Sequence, residues 1–293
     1  MFGLRSDGKK IKIKDPIFKI IPHIMNSRIA SQNYMVEDID CSSLDDFIRT
    51  KREEGISYNY MHIVIAGLAR LFYIRDELNR FIMNGRFYQR YSKDGRNITI
   101  ALTVKKFLGD GAPETIVKFS FKGDETLEEI KEIIDSGVKA NTSTKEAALK
   151  EANQTEKTAK YFRVLPNSFM KGSVGLIKFM DKHGMLPKKL IEVSPFHCSV
   201  FLTNLKSIRT KYVFHHLYEF GTTSIFISMG KEGNQAVEGS AGELELAKIM
   251  QLGFTIDERI TDGFYFAKSV KLFKKFLTDP SLLELPIDKC PTK

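Results

Sequence analysis

Short segments with a two-residue apolar repeat alternate with helical segments along most of the 293-residue chain. The clearest repeat is ITIALTVKKF at 98–107, where Ile98, Ile100 and Leu102 alternate with polar or small residues. This pattern predicts a half-buried strand, and TIVKFSF at 115–121 repeats it. Strands of this kind between helices predict an α/β domain with a mixed sheet and flanking helices.

The same reasoning predicts the other elements. Further strands are predicted at 33–40, 86–90, 197–205, 223–231 and 245–257. Helices are predicted at 44–54, 58–74, 126–134, 144–160, 164–183 and 263–277. Ser42 or Ser43 is expected to cap the first of these helices, and Ser57 the second. Gly55 and Gly184 are expected to end two of them.

The composition, 42% hydrophobic and 28% charged, is typical of a globular protein. Since there are no repeats and no Gly/Ser hinge, we expect a single domain over 1–293. No apolar run approaches the ~20 residues of a bilayer span, and the first residues contain no signal segment, so no membrane association is expected.

The widely spaced Cys41, Cys198 and Cys290 suggest neither a disulfide framework nor a zinc site, which is consistent with a reducing cytoplasm.

The chain carries a net charge of +9. Its lysines and arginines are scattered and no nucleic-acid-binding module is recognised, so nucleic acid is not an expected partner. Two interpretations of the charge are open: a solvated surface, or attraction of an anionic ligand such as a nucleotide-bearing cofactor. GxGxxG, P-loop, HExxH and CxxC motifs are absent, and no metal is expected.

The segment DERITDG at 257–263 is a charged turn between an apolar strand and an amphipathic helix, a common place for chemistry. Histidines supply few alternatives. His62 lies in a helix that is hydrophobic on most sides, so we expect a buried helix and a core histidine with satisfied hydrogen bonds. His215 and His216 are adjacent, so in a strand they point to opposite faces and at most one of them lines a site.

Three segments occur in an order that resembles a known family. They are LNRFIMNGRFYQRYSKDGRNITIALTV at 78–104, FLTNL at 201–205 and DGFYFAKSVKLFKKFL at 262–277. Their order resembles the chloramphenicol acetyltransferase family and the related catalytic domain of 2-oxo acid dehydrogenase acyltransferases, over a core of about 17–283. The resemblance implies a transferase that moves an acyl group from a coenzyme A-type thioester to a small acceptor hydroxyl or thiol. It also implies a homotrimer with sites between neighbouring subunits.

The resemblance assigns roles to individual residues. The family carries H-x-x-x-D-G, in which the histidine is the general base and the aspartate braces the turn by pairing with a basic residue. Asp262 and Gly263 match the end of this motif, and Lys19 lies near the position of the basic partner. Thr203 matches the hydroxyl that donates to the tetrahedral oxyanion. Glu258 stands where the family has its catalytic histidine.

The substitution of glutamate for histidine leaves the chemistry open. In model peptides a glutamic acid titrates near ~4.3 and a histidine near ~6.5, so the carboxylate is the weaker base. Glu258 is either a retuned base or is replaced in that role by the imidazole of His215 or His216. The further alternatives are a catalytically inactive homologue that binds a thioester or small molecule, or acts in assembly, and a merely solvated Glu258 near Arg259. Thr203 is likewise either the oxyanion donor or a strand threonine whose hydroxyl is satisfied internally.

We expect an acyltransferase with altered base chemistry. The alternatives of other classes are the inactive homologue and a binder of anionic surfaces. Because the resemblance begins near Ile17, no lipoyl or peripheral-subunit-binding module is expected, and the protein is expected to act alone in the cytoplasm.

Overall fold

The computed structural model describes residues 5–92, 95–105, 114–141, 166–239 and 242–292. The helices in these ranges are α1 (Pro16–Ile24), α2 (Ser42–Glu53), α3 (Tyr60–Ile74), α4 (Leu127–Asn141), α5 (Asn167–Lys182), α6 (Lys188–Val193) and α7 (Gly263–Thr278). The strands are β1 (Gly8–Lys10), β2 (Gln32–Asp40), β3 (Arg80–Met83), β4 (Arg86–Ser92), β5 (Gly95–Arg96), β6 (Ile98–Lys105), β7 (Glu114–Phe121), β8 (Val200–Asn204), β9 (Ile225–Met229), β10 (Gly233–Glu238) and β11 (Leu244–Asp257).

A seven-stranded sheet forms the centre of the fold, in the order β10–β11–β9–β8–β6–β7, with β2 also paired to β11. The pairs β6/β8 and β8/β9 are parallel, and the remaining pairs are antiparallel. This arrangement confirms the predicted α/β class with a mixed sheet. Parallel neighbours need a long crossover connection. The chain passes from β6 through β7 and then through α4 and α5 before it returns as β8 beside β6.

A second, smaller sheet was not expected from the sequence. It has the order β1–β4–β3, with β5 also paired to β4. The predicted strand at 86–90 belongs to this sheet and continues to Ser92. Asn84 and Gly85 form the hairpin turn between β3 and β4, both with positive φ (52° and 69°), which is the combination that a two-residue turn of this kind requires.

The main core lies on the sheet face that is covered by helices. There α3 packs against α4 and α7, and its residues from Ile63 to Phe72 are all buried. Phe273 and Phe276 of α7 are also fully buried. This confirms the prediction of a buried helix at 58–74, because a helix that is apolar on most sides has little surface to offer to water.

Two predicted helix caps are wrong. The N-cap position of α2 is Cys41, and the amide of Ser42 instead donates to the Asp40 carboxylate at 2.8 Å. The N-cap residue of α3 is Asn59, whose side chain accepts from the amide of His62 at 3.1 Å. Ser57 therefore lies outside the helix, and Asn59, a residue type equally favoured as a cap, occupies the N-cap position two residues later.

The other predicted elements are mostly confirmed. His62 is a buried residue bonded to Asn59 and 3.0 Å from Asp135, so its polar atoms are satisfied as expected. Gly55 and Gly184 follow their helices with φ of 87° and 70°. The helix predicted at 144–160 lies outside the described residues. The short α1 and α6 and the polar strand β10 were not predicted.

Across the described ranges, no helix combines the length and the apolar character that crossing a membrane requires.

Candidate active site

The turn DERITDG connects the end of β11 to the start of α7. Asp262 is the N-cap residue of α7, and its Oδ1 accepts from the amide of Tyr265 at 2.8 Å. Gly263 follows as the first helical residue and is exposed. Asp262 thus holds the turn by satisfying one of the free amides at the helix start.

The predicted ion pair between Lys19 and Asp262 is not formed within one chain. Lys19 is exposed on α1, and in the described part of the chain neither residue has an ion-pair partner. The carboxylate of Asp262 is occupied by the helix amide, and the basic residue of the turn, Arg259, is bound elsewhere.

The buried brace of this turn is a different pair, Asp257 with Arg259. Nε and Nη2 of Arg259 donate to the two carboxylate oxygens of Asp257 at 2.7 and 2.8 Å. Nη1 donates to the carbonyl of Met25 at 2.8 Å, which ties the turn to the segment after α1. Arg28 approaches the same carboxylate, with its Nε 3.7 Å from Oδ2. Burial lowers the pKa of the Arg28 guanidinium because the charged form loses its hydration.

Glu258 points away from this buried pair and is exposed. Its backbone amide donates to the carbonyl of Ser31 at 3.0 Å. Its Oε2 accepts from Nδ2 of Asn33, at the start of β2, at 3.3 Å. The side chain is therefore held at the surface of the single chain, with one carboxylate oxygen free of hydrogen bonds from the described residues.

Thr203 lies near the end of β8 and is half-buried. Alternation along the strand puts it on the same sheet face as Phe201, opposite to the main core. Its register partner on β9 is Ser228, whose hydroxyl donates to the carbonyl of Val213. The hydroxyl of Thr203 makes no hydrogen bond with the described residues, so it is available to a ligand.

The segment 210–220 crosses this sheet face and carries the two candidate histidines. The prediction that they point to opposite faces of a strand is wrong, because this segment is not a strand. The rings of His215 and His216 lie 4.9 Å apart. His215 stacks on Phe226 with ring centroids 4.1 Å apart and planes within 2°. Both imidazoles therefore lie on the side of the sheet that carries Thr203.

Residues 214–285, which include His215, His216 and the whole DERITDG turn, match the family model of the catalytic domain of 2-oxoacid dehydrogenases acyltransferases. No curated protein matches the sequence significantly. A probable dihydrolipoamide acetyltransferase from Listeria monocytogenes superposes with a TM-score of 0.54 at 15% identity, covering 92% of this chain and 94% of the other. The chain has the chloramphenicol acetyltransferase-like fold.

Two further solved structures share this fold. The cubic core of a pyruvate dehydrogenase multienzyme complex superposes with a TM-score of 0.55 at 13% identity, covering 92% of this chain and 89% of the other. A chloramphenicol acetyltransferase superposes with a TM-score of 0.50 at 11% identity, covering 92% and 99%. Identities this low establish the architecture and leave the activity to be argued from the site.

Within one copy of this chloramphenicol acetyltransferase-like chain, Glu258 and Thr203 are far apart. Thr203 and Gly253 both pair with Ser228, one from each side. Asp257, which precedes Glu258, lies four residues beyond Gly253 on β11, and at ~3.3 Å per residue this is about 13 Å from Gly253 along the strand. Two strand spacings of ~4.8 Å add about 10 Å across the sheet. The two predicted catalytic groups therefore cannot contact one substrate atom in a single chain.

The sequence did not identify the buried residues of the turn. Asp257 and Arg259 stand beside Glu258 in DERITDG, and their separation by two residues was the available signal. Arg28 lies in a segment without any motif, so its approach to Asp257 is visible only after folding. Asn204, next to Thr203, has a buried Oδ1 without a hydrogen-bond partner among the described residues, and sequence patterns do not report such an atom.

Proposed function

We propose that the protein is an acyltransferase that moves an acyl group from a coenzyme A-type thioester to a small acceptor hydroxyl or thiol. We further propose that its active site forms between two copies of the chain, in a homotrimer. The observation that carries the second point is the separation of Glu258 from Thr203 within one chain. The fold and the family match at 214–285 support the first.

In the proposed reaction, the Glu258 carboxylate of one copy takes the proton from the acceptor. The acceptor oxygen or sulfur attacks the thioester carbonyl, and the hydroxyl of Thr203 from the other copy donates to the resulting oxyanion. Collapse of this intermediate breaks the carbon–sulfur bond and releases coenzyme A as a thiolate. The thiolate recovers the proton from Glu258, so the base is regenerated.

The surface around Glu258 supports contact with a second copy. Tyr34 follows the Asn33 that binds Glu258, and its ring lies 5.1 Å from that of Phe214. Both rings are exposed in the single chain, as are Ile29 and Phe264. Aromatic side chains exposed together beside a polar group are typical of surfaces that a partner covers. A trimer in the cytoplasm, with no nucleic-acid partner and no metal, belongs to the same proposal.

One alternative base and one alternative function have specific support. His215 lies on the sheet face of Thr203 in the same chain, so its imidazole is the alternative base. The exposure of Glu258 supports the second alternative, an inactive homologue that binds a thioester or acts in assembly. Comparison of Glu258→Ala with His215→Ala separates the two bases, because loss of the acting general base typically lowers the rate about 10²- to 10⁴-fold.

Release of free coenzyme A tests the activity. Acetyl-coenzyme A is supplied with a panel of small hydroxyl and thiol acceptors. Glu258→Ala is expected to lower the rate about 10²- to 10⁴-fold, as for other general bases, and Thr203→Val to lower it as an oxyanion donor does. Glu53→Ala, an exposed glutamate of α2, is the matched control. Thioester binding without release, for every acceptor, would leave the inactive homologue as the function. Turnover that appears only in Glu258→His would show the same.

A mixing experiment tests the shared site. Trimers of Glu258→Ala chains alone, or of Thr203→Val chains alone, are expected to have strongly reduced activity, but a trimer assembled from both contains one interface with both native residues. Co-expression of the two variants is therefore expected to restore part of the activity. Restoration is not expected if both residues act within one chain, and its absence in verified mixed trimers contradicts the shared site.

A further inference from the structure

A cleft that contains neither Glu258 nor Thr203 lies between α1, the β3–β4 hairpin, the end of α5 and the segment 219–220. Its volume is about 430 Å³, which is the size of a small-molecule site. Arg28 and Arg259 are buried residues of its lining, and the exposed Lys178 and Lys182 line it from α5. We call it the arginine cleft.

The guanidinium group of Arg28 has a hydrogen-bond donor without a partner among the described residues. Its side chain is 3% exposed, so it is almost fully withdrawn from water. Nη1 donates to the carbonyl of Tyr218 at 2.6 Å, and Nη2 to that of Ile82 at 3.4 Å. Nε has no hydrogen-bond partner in the described part of the chain, since Asp257 is 3.7 Å away. A buried cation with an unused donor is costly unless an anion compensates it.

The carboxylate that approaches Arg28 Nε, that of Asp257, is already hydrogen-bonded to Arg259. Both oxygens of Asp257 accept from Arg259, at 2.7 and 2.8 Å. Asp257 therefore stands between two buried guanidinium groups as a single negative charge. Arg28 is left with the longer contact of 3.7 Å to this carboxylate, beyond hydrogen-bond distance.

The two acidic residues that line the cleft are also engaged. Asp181 accepts from Arg5 at 2.8 Å and lies 3.2 Å from the imidazole of His197. Glu219 accepts from the amide of Ile29 at 2.8 Å. Lys178 and Lys182, by contrast, have no ion-pair partner among the described residues. The cleft is lined by four cationic side chains and two carboxylates, so positive charge is in excess.

We propose that the arginine cleft binds a small molecule through an oxyanion group, a phosphate or a carboxylate, with Arg28 at its base and Lys178 and Lys182 at its edge. A guanidinium group is suited to this contact because it is planar, permanently charged and donates hydrogen bonds to oxyanions. The proposal does not depend on acyl transfer, because no residue of the cleft belongs to the proposed reaction.

Calorimetric titration of the full chain with inorganic phosphate and with succinate, at constant ionic strength, tests the proposal. Saturable binding is expected for one or both anions, and the stronger of the two identifies the group. Lys178→Gln with Lys182→Gln is expected to weaken binding about tenfold, since each exposed charge contributes only modestly. The matched control is Lys171→Gln with Lys189→Gln, which removes two exposed lysines outside the cleft lining and should leave binding unchanged.

Arg28→Gln is expected to abolish binding, with circular dichroism as the check on folding; the lysine pair decides the matter if this variant does not fold. Equal weakening by both lysine pairs, or no saturable binding of either anion to the wild-type protein, overturns the proposal. Glu258→Ala should bind the anions normally, so failure of the acyltransferase function and failure of this site are distinguishable.

Discussion

Asp257 and Arg259 form a two-point ion pair across the turn that ends β11, with oxygen–nitrogen distances of 2.7 and 2.8 Å. Both residues are buried, and Arg259 also donates to the carbonyl of Met25. The pair thus fixes the backbone on either side of Glu258 while the Glu258 side chain stays exposed. A turn held in this way can present one side chain outward in a fixed position.

Removal of Arg259 should destabilise the protein. Arg259→Leu leaves Asp257 buried with only Arg28 at 3.7 Å, and breaking a buried pair in this way typically costs ~3–5 kcal/mol. The free energy of unfolding from denaturant titration measures it. The matched control is Arg49→Leu, which breaks an exposed pair with Asp46 and should cost less than ~1 kcal/mol. Equal effects of the two changes would contradict the bracing role.

Asp262→Ala should destabilise α7 because it removes the acceptor for the Tyr265 amide. The expected loss is ~1 kcal/mol, as for other N-cap residues, and Asp262→Asn should retain most of the stability. Lys19→Ala should change the free energy of unfolding by less than ~0.5 kcal/mol. A strong coupling between the Asp262 and Lys19 changes in a double-mutant cycle would instead support the ion pair expected from the family.

Gly253→Ala should also be destabilising, for a steric reason. An added Cβ would lie 2.8 Å from the Tyr212 ring and 2.9 Å from the Ser228 hydroxyl, so the segment that carries the histidines must shift. Overpacking of this kind costs ~1–3 kcal/mol. Gly233→Ala in β10 is the control, because nothing lies within 4 Å of its added Cβ. Similar stabilities of the two variants would show that 210–220 does not press on the sheet.

Asp181 should contribute to the acid sensitivity of the fold. Burial raises the pKa of its carboxyl, but the contact with His197 and the charge of Arg5 outweigh this, and the pKa lies below its ordinary value. The unfolded chain therefore takes up the proton first as pH falls, so the stabilisation is complete above pH ~4 and is lost below it.

The variant Asp181→Asn tests this, with the free energy of unfolding measured between pH 7 and pH 2. It should be less stable than the wild type at pH 7 and should lose less stability on acidification. Parallel profiles for the two proteins would show that Asp181 is not a source of the acid sensitivity.

Much of the fold could be predicted because its strands and helices carry strong local patterns. The repeat in β6 and the apolar α3 are examples, and both fold as expected. The wrong cap predictions arise because neighbouring residues compete to accept hydrogen bonds from the free amides at the helix starts. Ser42 and Ser57 are good caps by type, but Asp40 and Asn59 reach the free amides. The nine-residue α1 is short and contains Pro22, which disfavours a helix, and β10 is too polar to show an apolar repeat.

Some features of the candidate site could likewise be predicted from the sequence, and others could not. The sequence placed Gly263 at the start of a helix and Thr203 on a strand, because those positions follow from apolar periodicity, whereas the role of Asp262 as the N-cap residue was not predicted. Only the tertiary structure decided which charges meet. Asp257 joins Arg259 and Arg28, while Lys19 stays exposed, because long-range packing sets these distances. Sheet register likewise separates Glu258 from Thr203, and no local pattern in a sequence encodes the register of strands that are distant along the chain.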